Sequence, residues 1–295
     1  MVIRRSLSER IFGAFNAFIM ILVIIATLYP FVYVAFSSVS RPAQLIAHQG
    51  ILLRPLGFTL SSYQAVFRNP MILLGYINTL FVLVVGTSLN MVMTILMAFV
   101  LSRRKLMLRN AIMFFMVFTM YFSGGLIPLF FVVHSLGLID TRWALIIPSA
   151  MSTFNIIIMR TAFMNIPDSL EDSAHIDGAN AFTILIRIIL PLSVPTIVVI
   201  LLFYAVGHWN AWFSAMIYLR SRELFPLQLI LREILVLHDA DIMFATGTGF
   251  AGDQEPIGET IRYATVIVAT VPILFVYPFL QKHFVKGVMI GALKE

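Results

Sequence analysis

From Ile11 to Phe36 the chain passes without one charged side chain, and comparable apolar stretches recur along its length. About 20 such residues cross the hydrocarbon of a bilayer, where no water satisfies a bare peptide group, so continuous runs of this length take up helix. Six spans are expected, at about 11–36, 71–101, 111–133, 143–163, 192–219 and 260–280. Together they give an all-α polytopic membrane protein with a single transmembrane domain over 1–295. With 60% hydrophobic and 12% charged residues, the composition leaves no room for a separate soluble domain. The first run is too long for a signal-peptide core and lacks a convincing cleavage site, so it reads as a retained span.

Charge placement orients these spans. Arg4, Arg5 and Arg10 precede the first, and the basic turn of Arg103, Arg104, Lys105 and Arg109 follows the second. With Arg160, Arg187, Lys282, Lys286 and Lys294, these make twelve of the twenty lysines and arginines, all falling on one side when both termini are cytoplasmic. The net charge of +6 therefore reports membrane orientation, and no nucleic-acid partner is expected. Cysteine is absent, which excludes disulfides and thiolate metal sites. Asp239, Asp241, Asp253 and Glu255, in the longest external segment, lack the spacing of a calcium loop, so no metal site is expected there. Neither a Walker A phosphate loop nor an intact HExxH or GxSxG motif is present, so the chain is expected to catalyse nothing itself.

The polar stretch 166–191 lies between the fourth and fifth spans. Asp168 with Glu171 three residues on has the form of a capping box, predicting a short helix over Ser169–His175. Asp177-Gly178 predicts its stop, because glycine tolerates the left-handed conformation that a helix end uses. A second helical run then leads to Leu190-Pro191. Asp172-Ser173-Ala174, three residues, Gly178, nine residues and Ile188-x-Leu190-Pro191 together resemble the EAA loop of ABC importer permeases. Asp stands where Glu is usual and Ser where the first Ala is usual, while Glu171 supplies a Glu one place earlier.

The resemblance implies a type I importer permease fold in the bacterial cytoplasmic (inner) membrane. It makes 166–191 a coupling loop that docks on an ATPase through Glu171, Asp172, Ser173, Ala174, Asp177, Gly178, Leu190 and Pro191. Asp172 would anchor, Ala174 would fit a cleft and Gly178 would turn the chain. Gly287, Gly291 and Lys294 in the C-terminal tail resemble the ATPase-contacting tail of sugar-importer permeases, with Glu295 standing where Gly is common. The implied partners are a sister permease, an ATP-binding cassette ATPase dimer that binds the ATP and magnesium, an extracytoplasmic solute-binding protein, a saccharide and membrane lipid. No cofactor is implied for this chain. Among sugar importers the phrasing is similar to permeases for complex oligosaccharides, alginate and aldouronate types included.

Saccharides bind through aromatic faces and amide or hydroxyl partners, and polar groups within a span face protein or a water-filled path. Tyr121, Asn155, Tyr204, His208, Trp209, Asn210 and Trp212 are the candidates for that path. Tyr204, His208 and Trp212 are four apart and are expected on one helical face. His208, with no acidic partner in its span, is expected to be a hydrogen-bonded structural histidine. An ion-coupled secondary transporter would need carboxylates within the spans, and an intramembrane enzyme a nucleophile or metal cluster. The spans supply neither. A permease for another solute class, such as amino acids or ions, is the alternative within the family.

Overall fold

The computed structural model describes residues 6–103, 106–236 and 260–275. Helices account for nearly all of their regular structure, and one isolated antiparallel bridge joins Ser40 to Phe58. The chain divides into two compact units, Met1–Asn69 with Glu233–Val271 and Pro70–Arg232 with Pro272–Glu295.

In the first unit, α1 (Leu7–Ser38) opens on a capping box. Ser6 Oγ accepts from Glu9 N–H at 3.3 Å, and the Glu9 carboxylate accepts from Ser6 N–H at 2.8 Å. The helix continues through Pro30, and none of its most apolar window is buried within the chain. Two short helices follow, α2 (Pro42–Ala47) and α3 (Ser61–Arg68). Ser38 and Tyr63 share a hydroxyl hydrogen bond of 2.8 Å, and Ser62 Oγ donates to Thr260 Oγ1 at 2.8 Å. The helix Thr260–Phe275 also sets Tyr263 edge-on to Tyr33. It covers the start of the expected sixth span; residues 276–280 lie outside the described ones.

The second unit is built on α4 (Pro70–Ser102), an unbroken 33-residue helix that packs on α8 and α12. The elements after it break within the expected spans. The expected third span is two helices, α5 (Arg109–Tyr121) and α6 (Leu126–Ser135), bent by 115°. Gly125 at φ +87° supplies the turn. The expected fourth is α7 (Trp143–Ile146) and α8 (Thr153–Met164), with a 52° bend at the break between Ser149 and Thr153. After it come α9 (Asp168–Ile176), α10 (Ala181–Ile184), a π-helical turn Leu185–Ile189, α11 (Leu190–Leu192), α12 (Val194–Trp209) and α13 (Phe213–Tyr218). The π turn lies immediately before the Leu190-Pro191 pair, where proline withholds a helical N–H. Ala181–Leu192, the second half of the 166–191 stretch, is itself helical and meets α12 at 86°. α12 ends at Trp209, the eighteenth residue of the expected fifth span, because Asn210 and Ala211 leave helical geometry.

Asn90, Thr94, Ala98 and Leu101 of α4 recur at helical spacing and are all buried. The apolar members join Ile156, Met159 and Phe163 of α8, Ile184 and Ile189 of the loop, and Ile200 of α12 in one core. At the other end of α4, Asn78 Nδ2 donates to the carbonyls of Glu223 and Phe225, and its Oδ1 accepts from Arg142 Nε at 3.1 Å. Asp140, at φ +61°, accepts from the N–H groups of Arg220 and Ser221, each at 2.8 Å, and from Ser221 Oγ at 2.6 Å. These bonds hold its carboxyl below the usual carboxylate range, the Ser221 hydroxyl bond being the largest cause.

Candidate functional site

Pro167, extended at ψ 131°, takes the N-cap place of α9. The expected capping box is therefore not formed. Asp168 is the first helical residue, and Glu171 turns across to pair with Arg103, just beyond the end of α4. Burial pushes the Arg103 guanidinium below its usual value, with the Asp168 carboxylate opposing. Ser102, Arg103, Met164, Asp168, Asp172 and His175 line a cleft of about 380 Å³ between these elements.

The stop of α9 follows the sequence. Gly178 has φ +79°, its N–H bonds His175 O at 3.1 Å, and Ala179 N–H bonds Ala174 O at 2.9 Å, which is a Schellman ending. Asn180 then caps α10, its Oδ1 accepting from Thr183 N–H at 2.8 Å. Asp172, Ser173, Asp177 and Gly178 are exposed. Ala174 corrects the expectation: it is 9% exposed and belongs to the chain's own core, so its small side chain lets α9 lie close on the loop behind it. Leu190 is half-buried and Pro191 exposed. Ile176, at the tip of α9 and two residues before the stop glycine, is 87% exposed.

Of the path candidates, Asn155, Tyr204 and His208 come together on a cavity of about 560 Å³ between α8 and α12, with Ser149, Ser152 and Tyr218 in its wall. Tyr204 OH shares a 2.7 Å hydrogen bond with Thr94 and accepts from Ser152 N–H at 3.1 Å. His208 Nε2 lies 2.7 Å from Asn90 Oδ1, and Asn90 Nδ2 donates to Ser149 O, as expected of a structural histidine. The other four lie away from the cavity wall. Tyr121 is an exposed residue at the end of α5, and Trp209 is buried with its ring 6.4 Å from that of Tyr76. Asn210 turns its amide back to Val206 O. Trp212 does not share a face with Tyr204 and His208, because the helix breaks before it, and it carries the Arg232 guanidinium on its ring. Gly287, Gly291 and Lys294 lie outside the described residues.

Residues 90–290 match the family described as binding-protein-dependent transport system inner membrane component. The chain belongs to that family. Its match takes in the C-terminal part of α4 from Asn90 onward, the cavity wall and the whole α9 hairpin. The polygalacturonan/rhamnogalacturonan transport system permease protein YtcP of Bacillus subtilis is 43% identical over 272 residues, 90% of this chain and 92% of its own. Protein LplC of the same organism is 42% identical over 268 residues, 91% and 90% of the two chains. A chain of the crystal structure of a bacterial ABC transporter involved in the import of the acidic polysaccharide alginate superposes with a TM-score of 0.87. It shares 33% identity over 95% of this chain and 99% of that one. The protein is thus an inner-membrane permease subunit with the type I ABC importer fold.

Proposed function

We propose that this permease passes acidic oligosaccharides of the uronic-acid class inward, driven by an ATPase dimer that docks on α9 from the cytoplasm. The observation that carries the reading is identity of 43%, over nine-tenths of the chain, to a permease named for polygalacturonan and rhamnogalacturonan. The geometry supports it at two places. The α9 hairpin exposes Asp172, Ile176 and Asp177 around a stop that needs no partner to form. The cavity wall includes Asn155, Tyr204 and His208, amide and aromatic residues of the types that bind saccharides.

The energy source is the preference of ATP for a closed ATPase dimer, since a ligand shifts an equilibrium only by favouring one state. Closure would carry α9 with it and open the cavity outward, where a solute-binding protein delivers the sugar. A sister permease supplies the other wall. Orientation with both termini in the cytoplasm puts α9 on the ATPase side.

The test is reconstitution of the complete transporter in proteoliposomes with ATP inside and receptor outside. Receptor loaded with galacturonate oligomers stimulates hydrolysis and uptake, whereas neutral glucose oligomers of equal length do neither. Equal uptake of both, or uptake of galacturonate oligomers without ATP, would overturn the reading.

A further inference from the structure

α8 and α10–α12 are tied to α9 through the chain itself, but α4 is not. Yet α4 bears the polar side chains that fasten the cavity wall: Thr94 to Tyr204, and Asn90 to His208 and to Ser149 O. Besides the route through the packing of α8 and α12 on α4, a displacement of α9 reaches those side chains directly along α4 if α9 is held at the far end of the same helix. Arg103 is built for this. Its guanidinium lies 4.3 Å over the Phe99 ring, its Nε donates to Phe99 O at 3.4 Å, and its remaining edge pairs with Glu171 of α9. Stacking and a backbone bond fix the fork, so the ion pair holds a direction as well as a distance. Arg160 of α8 adds a second cation to this helix end, donating to Leu101 O at 3.0 Å, where the helix dipole favours positive charge.

We propose that Arg103 is a positioning residue for transport, fastening α9 to α4 so that motion taken up by the coupling helix reaches Asn90 and Thr94 at the cavity. The proposal rests on α9 being the ATPase-docking helix. Glu171 acts inward, toward its own chain, while Asp172 and Asp177 are left on the exposed side.

Arg103→Glu and Glu171→Arg test it, singly and together, in the reconstituted transporter. Each single reversal should lower substrate imported per ATP hydrolysed by roughly five- to tenfold, the lower part of the usual range of intersite coupling. The exchanged pair should recover most of that ratio, which lost packing alone would not do. Where a single variant fails to assemble, cysteines at 103 and 171 provide a second route, because the chain has none of its own. Bridging them with a short bifunctional maleimide should raise the transport ratio, and leaving them unbridged should not. Wild-type ratios in both single variants, or an exchanged pair or bridged pair as defective as the singles, would overturn the proposal. Absence of ATP-driven uptake in the wild-type complex would instead count against the docking role itself.

Discussion

Gly86 of α4 sits under the imidazole of His208, and replacing it by alanine tests how tightly the cavity wall is set. An added Cβ would stand 2.7 Å from Nε2 and 2.8 Å from Cε1. Ordinary contact begins near 3.4 Å, so the ring must withdraw from α4 by about 0.7 Å. Asn90 lies one turn along the same helix, and that withdrawal stretches its 2.7 Å bond to His208 toward about 3.4 Å, where little of its strength is left. Overpacking costs about 1–3 kcal/mol and the buried bond about 1 kcal/mol more. The better helix propensity of alanine returns about 1 kcal/mol. The net expectation for Gly86→Ala is destabilisation of about 1–3 kcal/mol, read as a lower unfolding midpoint of the purified subunit in detergent. His208→Ala removes the obstructing ring, so the two substitutions should combine with a favourable coupling of about 1 kcal/mol or more. A Gly86→Ala protein as stable as wild type, or strict additivity in the double variant, would refute the argument.

Three further outcomes follow from the same geometry. Gly178→Asp places a side chain at φ +79° where nothing obstructs it; it should insert and assemble normally, cost about 1–2 kcal/mol locally, and hydrolyse ATP with little uptake, whereas unimpaired uptake would count against docking at this turn. Gly75→Ala would bring a Cβ 2.6 Å from Ile230 Cδ1 and 3.1 Å from the Leu227 backbone, which cannot swing aside, so it should lower the unfolding midpoint more than Gly86→Ala does. Asp140→Asn should lower the midpoint at neutral pH. The folded carboxyl titrates below its unfolded value, so the wild-type advantage is full above about pH 4 and shrinks only as pH falls through the depressed folded value; an advantage that vanished already at neutral pH would be the wrong sign.

What could be read from sequence was what depends on near neighbours. Gly178 announced its turn because only glycine accepts that φ cheaply, and the expected helix 169–175 appears as Asp168–Ile176. The capping box failed for a reason no local pattern carries: Glu171 finds a cation 68 positions earlier in the chain. The same holds for Ala174, whose spacing matches the docking motif while its side chain is taken up by the core. Long apolar runs announced membrane helices but not the size of their bends: Gly125 turns one pair through 115°, while Pro30 is carried through another helix. In the cavity, Asn155, Tyr204 and His208 were recognisable as polar groups in apolar surroundings. Trp212 was misplaced because helical spacing was extended across Asn210, where the helix had already ended.

The middle of α1 carries a lesson of a different kind. Its most apolar eighteen residues meet no buried surface among the described residues, so hydropathy, rather than a shape complementary to them, governs which side chains this subunit accepts there. Leu, Ile, Val and Phe are close to interchangeable for that purpose, so exchanges among them from Ile21 to Ile25 should leave expression and folding of this subunit untouched. The helix is then free to drift in sequence so long as its greasiness survives, a latitude denied to α4 at nearly every turn.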